Sequence, residues 1–95
     1  VTLFCDIDAT ICITRGADYA DADPIKENID KINKRYDSGD TIVYWTARGT
    51  TTGINWFEIT LEQLKRWGAK FHELRMGKPN YDLLVCDKTK RIEEL

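Results

Sequence analysis

The 95-residue chain holds one histidine, one methionine, two prolines and three cysteines, and each scarcity closes off some chemistry. A lone His72 gives no second imidazole for a familiar metal site, and no Ser or Cys pattern beside it suggests a triad; it reads as a structural or surface residue. Cys5, Cys12 and Cys86 cannot all pair within one chain and form no C-x-x-C motif, so a reduced setting and buried, unreactive thiols are expected. Cys5 and Cys86 each precede an acid and are expected close together across neighbouring strands. No apolar run approaches the roughly 18 residues that span a bilayer, and no secretory-type segment precedes Val1, so a cytoplasmic location without a membrane partner is expected. Positive charge is also scarce as a patch. The 14 Lys plus Arg stand against 16 Asp plus Glu, for a formal charge of -2 with no basic block, which disfavours nucleic acid as a partner.

What is present is a core and an acidic motif. A hydrophobic fraction of 42%, with ten aromatic residues, supports a single packed domain over residues 1–95. The apolar run from Val1 to Cys5 closes on Asp6-Ile7-Asp8-Ala9-Thr10. Two carboxylates in i, i+2 relation within a strand lie on one face, where a buried strand cannot hold both charges, so the pair belongs at a strand end. Ile42 to Trp45 likewise runs into Thr46, and Leu83 to Cys86 into Asp87. Three such runs read as parallel strands whose carboxyl ends meet at one crevice, where open α/β sheets place ligands.

Between these runs, Ile11 to Asp23 reads as a short flap or hairpin, with Arg15 or Tyr19 able to face the crevice. Asp23-Pro24 reads as an acidic N-cap and first-turn proline opening a helix, whose stripe of Ile25, Ile29, Ile32 and Tyr36 packs on the sheet. A second helix, about 54–67, carries Phe57, Leu61, Leu64 and Trp67 on one side and stops at Gly68. Trp56 and Trp67 read as packing residues rather than a ligand cage. The run from Ala69 to Leu74 is a candidate short strand. The small-residue loop from Thr46 to Gly53 does not match the Walker A pattern.

Asp6, Asp8, Thr46, Lys78 and Asp87, with Arg48 and Asp82 nearby, suit phosphoryl transfer, in which positioning and charge neutralisation do most of the work. Carboxylates without His or Cys partners favour a hard cation, Mg²⁺ first. One carboxylate would attack phosphorus while its neighbour moves the proton, with Lys78 and Thr46 supplying positive charge and a hydroxyl donor to the phosphoryl oxygens.

These residues resemble the haloacid dehalogenase superfamily. Asp6 to Thr10 looks like its D-x-D-x-T motif, Tyr44 to Gly49 like its strand-plus-Thr motif, Lys78 like its third motif and Asp87 like its acidic fourth. Gly77 to Lys88 is similar to small capless members assigned to capsule biosynthesis. The resemblance implies a three-layer Rossmann-like parallel sheet with helices on both faces, capless, with a flap at about 11–23. It implies Asp6 as nucleophile, Asp8 as general acid/base, and Mg²⁺ held by the Asp6 carboxylate, the Asp8 carbonyl and Asp87. Ala9 stands where the family commonly has Gly, and Cys86-Asp87 where relatives often show Asp-Asp, which predicts weak metal affinity. The expected substrate is a small phosphorylated metabolite such as a sugar or sugar-acid phosphate, with specificity from Arg15, Tyr19, Arg48 or a neighbouring subunit of a homo-oligomer. The alternative is a weakened binding or regulatory protein of the same fold, without turnover.

Overall fold

All 95 residues are described by a computed structural model. Strand β1 (Thr2–Cys5) leads through the acidic turn to a two-stranded antiparallel flap, β2 (Cys12–Ile13) against β3 (Asp23–Pro24), bridged by a 3-10 turn at Tyr19–Asp21. Helix α1 (Lys26–Asp37), strand β4 (Thr41–Trp45), helix α2 (Phe57–Arg66) and strand β5 (Glu73–Arg75) follow. The three longer strands form one parallel sheet in the order β1-β4-β5, with Leu3 opposite Ile42 and Tyr44 opposite Leu74.

Alternation along the strands sorts the side chains. Leu3, Cys5, Ile42, Tyr44 and Leu74 point to one face and share a core with Ile29 and Ile32 of α1 and with Leu64 and Trp67 at the end of α2. Asn33 ties the two helices together, its amide donating to the Gly68 carbonyl at 2.9 Å while its carbonyl accepts from the Lys70 amide at 2.8 Å. Both helices therefore cover the same face, which corrects the expected three layers to two. The reason is topological: strand order advances in one direction, and right-handed crossovers then deliver successive helices to the same side. The opposite face carries Phe4 edge-on to Trp45 at 5.7 Å, with the Arg75 guanidinium over Phe4 at 5.3 Å.

A second correction concerns the C-terminal apolar run. Leu83 to Cys86 forms no strand; Leu83 and Val85 are 80% and 89% exposed, and residues 83–87 make no backbone-to-backbone hydrogen bond. Cys86 is exposed rather than buried beside Cys5. The tail anchors later, where Ile92 packs against the core and its carbonyl accepts from Lys31 at 3.4 Å. Asp23-Pro24 also takes another role, pairing with β2, and Ile25 is the residue from which α1 starts. A proline without an N–H is suited to so short an edge ladder. The Ile25 amide donates to the Ile11 carbonyl at 2.8 Å, so the flap and the helix start are pinned together. His72 is structural: its Nδ1 accepts the Ile42 amide at 3.0 Å and its ring stacks on Tyr36 at 4.7 Å.

Candidate functional site

The site begins where β1 stops. After Cys5 the chain turns sharply, with the Thr10 and Ile11 amides both donating to the Ile7 carbonyl at 3.1 and 2.9 Å. Ile7 and Ile11 are fully buried, and anchoring these apolar residues inward leaves Asp6 and Asp8 on the opposite side, lining a shared cavity. Ala9 completes the turn at φ 66°, a left-handed conformation that costs an L-residue about 1–2 kcal/mol. This is the position at which the resemblance led one to expect glycine.

From β4, the loop beginning at Thr46 enters beside the acidic turn. Thr46 is buried; its hydroxyl oxygen accepts the Arg48 amide at 3.1 Å and its carbonyl accepts the Lys78 amide at 3.0 Å. That second bond, with Thr50 donating to the Lys78 carbonyl at 2.8 Å, carries Lys78 to the end of β1. Lys78 Nζ lies 3.6 Å from Asp6 Oδ1, with its ammonium over the Trp45 and Tyr81 rings. Asp6 Oδ1 also accepts the Ile7 amide at 2.9 Å, while Oδ2 carries no hydrogen bond.

The two carboxylates sit in different environments. Burial raises the Asp6 pKa above the usual carboxylate value; Lys78 and the Ile7 amide oppose this without cancelling it, and Asp8 adds to the rise. For Asp8, burial also raises, but the hydrogen bonds and charge of Arg48 together with the Thr14 hydroxyl outweigh it and hold this carboxyl below its ordinary value. Arg48 Nε donates to Asp8 Oδ2 and Nη2 to Oδ1, both at 2.9 Å, a bidentate pair. Thr14 donates to Oδ1 at 2.5 Å.

Arg48 was expected to contact substrate, and here the expectation is corrected. Its side chain is wholly buried: Nη1 donates to Thr60 at 3.1 Å and to Gln63 at 2.6 Å, and the guanidinium lies under the Tyr19 ring at 5.0 Å. A buried guanidinium must satisfy its donors internally, and this one spends them on α2 and on Asp8. The apparent loop cation is thus the clamp on Asp8. Polar residues on the inner face of α2 were the signal for this, since Thr60 and Gln63 are buried where a plain packing stripe would be apolar. Arg15 is likewise corrected. It pairs with Asp23 at 3.0 Å across the exposed base of the flap and does not line the cavity, whereas Tyr19 does.

Mg²⁺ requires several oxygen donors converging from different segments. No cluster of three acidic, His or Cys side chains is assembled, and Asp87 sits in the exposed run that forms no strand. Of the expected set, the Asp6 carboxylate, the Asp8 carbonyl and Asp87, it is Asp87 that lies outside any strand, and Asp82 is equally exposed; Arg48 takes the Asp8 carboxylate and leaves its carbonyl out of the clamp. Among the thiols, burial pushes Cys5 up to about 12, with Asp6 adding and Lys78 opposing, so it is inert at neutral pH.

The cavity has a volume of 340 Å³, at the small end of ligand sites. It is lined by Asp6 and Asp8, by the Ala47 to Gly49 loop, and by Tyr19 and Trp56, whose rings meet edge-to-face at 5.0 Å. Trp56, expected only to pack, thus lines the pocket as well.

The arrangement defines a small parallel α/β domain with a polar cavity at the carboxyl ends of its strands. No family model and no curated protein matches the chain. Among solved structures it is similar to a crystal structure of a structural-genomics target from Vibrio cholerae, at 26% identity and a TM-score of 0.88, over 98% of this chain and 85% of that one.

Proposed function

We propose that the chain is a phosphomonoester hydrolase of the haloacid dehalogenase type, acting on a small phosphorylated metabolite through an aspartyl-phosphate on Asp6. One observation carries the reading: Asp6 lines the cavity with one carboxylate oxygen free of any hydrogen bond, while its other oxygen is held by the Ile7 amide and faces Lys78 at 3.6 Å. A nucleophile needs an unencumbered oxygen, and a transferring phosphoryl group needs a cation beside it. Thr46, buried and absent from the cavity lining, supports the loop through the Arg48 amide rather than facing the anion.

In the first step an Asp6 oxygen attacks phosphorus and the ester P–O bond breaks. Phosphate monoesters lose their second proton near pH 6, so the monoanion brings the proton that the departing oxygen takes. In the second step water attacks the phosphoryl group, its proton passes to the ionised Asp8, and phosphate and the Asp6 carboxylate are released. Clamped by Arg48, Asp8 is held ionised and so is poorly suited to donate a proton at rest; the same clamp makes it a weak base, which takes the proton of the attacking water only as that water's O–H bond breaks. Mg²⁺ dependence is the part of the resemblance that the donor set does not support, and no step is routed through it.

A second reading, a binding or regulatory protein without turnover, is favoured by that same missing donor set. Phosphate release from a panel of sugar phosphates, with and without Mg²⁺, separates the two. A phosphoryl group trapped on Asp6 after acid quench and located by mass spectrometry supports the hydrolase; turnover that persists unchanged in Asp6→Asn removes it.

A further inference from the structure

The cavity is notable for its lack of a free cation among the side chains that line it. The charged side chains lining it are Asp6, Asp8 and Arg48 alone, and Arg48 is fully committed to Asp8, Thr60 and Gln63. Arg15, which would have supplied positive charge from the flap, is turned to Asp23. Lys78 faces Asp6 and borders a separate recess with Pro79 and Tyr81. The remaining side chains of the lining include Tyr19, Trp56, Ile54, Asn80 and the hydroxyls of Thr51 and Thr52, aromatic edges and neutral hydrogen-bonding groups.

The wall is built rather than incidental. Gly49 turns at φ 80°, and a Cβ there would run into the Ile54 carbonyl oxygen and touch Trp56, so the loop closes tightly enough to seat the indole against its own floor. Gln63, already bound to Arg48, donates to the Tyr19 carbonyl and fixes the other ring. Trp56 and Tyr19 are therefore held by the same network that clamps Asp8.

We infer that this site selects phosphomonoesters whose leaving group is an uncharged ring, seated on Trp56 and Tyr19 and hydrogen-bonded by Thr51 and Thr52, and that it discriminates against a second anionic group. The inference rests on the hydrolase reading and narrows it: a sugar monophosphate fits, whereas a sugar-acid phosphate or bisphosphate would place its extra charge among Tyr19, Trp56 and the threonines, where no free cation receives it, Lys78 being held beside Asp6. An unpaired anion several ångströms from Asp6 in a partly desolvated pocket is worth about a tenfold loss.

Calorimetric titration of the wild-type protein with uncleavable phosphonate isosteres tests this independently of turnover. The 1-phosphonate of glucose is expected to bind about tenfold or more tighter than the 1-phosphonate of glucuronate, a pyranose that differs only in carrying a carboxylate in place of the hydroxymethyl group. Equal affinity, a preference for the acid, or binding of neither overturns the inference. Trp56→Ala should weaken the neutral ligand about fivefold, with Trp56→Phe restoring most of it. Thr52→Lys, at an exposed position on the rim, should narrow or reverse the preference, and an unchanged ratio would count against the electrostatic argument. If the neutral phosphonate binds as expected while its phosphate ester is not cleaved, the pocket assignment stands and the hydrolase reading fails.

Discussion

Arg48 grips both carboxylate oxygens of Asp8 at 2.9 Å from a wholly buried position, forty residues away in the chain. The pair joins the end of β1 to the end of β4 and, through Thr60 and Gln63, to α2. It also sets a protonation state. Two acids separated by one residue would otherwise share a similar environment, and the guanidinium is what drives them apart.

Replacing Arg48 by Gln removes the largest cause that lowers the Asp8 pKa and leaves burial, which raises it, opposed mainly by the Thr14 hydroxyl. In the wild type the depressed value contributes stability that is present above the unfolded Asp pKa of about 3.9 and is lost as pH falls through the lower folded value. In Arg48→Gln most of that contribution is lost, and the acidic limb of kcat against pH should move upward. Breaking a buried ion pair should also cost about 3 kcal/mol, read by urea denaturation at neutral pH. A pH profile that does not move would separate Asp8 from the chemistry.

Asp6 carries the opposite sign. Its pKa is raised in the folded protein, chiefly by burial, so the ionised form is disfavoured there; stability falls as pH rises from the unfolded value through the raised one. Asp6→Asn should therefore abolish phosphate release and raise the melting temperature at neutral pH, with the gain shrinking in acid. Thermal melts at two pH values check the second half.

Much of this was legible in the chain, and the losses have physical causes. The stripe of Ile29 and Ile32 and the β-branched run at Ile42–Trp45 set element type and core face, since periodicity reports burial directly. The convergence of Asp6, Asp8 and Lys78 was readable because strand ends in a parallel sheet share one rim. Arg48 and Arg15 were misassigned because a charged side chain's partner is set by tertiary neighbours that spacing does not reveal: Asp8 and Gln63 in one case, Asp23 across the flap in the other. Asp23-Pro24 carried a genuine helix-start signal that lost to pairing with β2.

Tyr44 offers a test of the core that is free of the site. Its ring packs edge-on to Phe71 at 5.8 Å, but its buried hydroxyl has no hydrogen-bond partner, and burial, with Cys5 adding, pushes its pKa upward. An unsatisfied buried hydroxyl costs about 1–3 kcal/mol. Tyr44→Phe keeps the ring and deletes the orphan, so it should raise stability by about 1 kcal/mol in urea denaturation, where most core changes lower it. A loss of stability would mean that the hydroxyl has a partner.

The run from Leu83 to Asp87 has the composition of a strand and the exposure of a loop. Exposed side chains contribute little, so Leu83→Ser and Val85→Ser should each change stability by no more than about 0.5 kcal/mol, against about 2 kcal/mol or more for the same changes in a buried strand. Backbone amides of residues 83–87, making no ladder bonds, should exchange with solvent without protection. The outcome bears on the metal as well as the fold. β1 has one free edge, since β4 occupies the other. Protected amides and a large cost at Leu83 or Val85 would put the run beside β1 as a fourth strand, carrying Asp87 toward the Asp6 end and assembling the oxygen donors that Mg²⁺ requires. Unprotected amides and neutral substitutions would leave Asp6, Lys78 and the clamped Asp8 as the whole of the charged machinery.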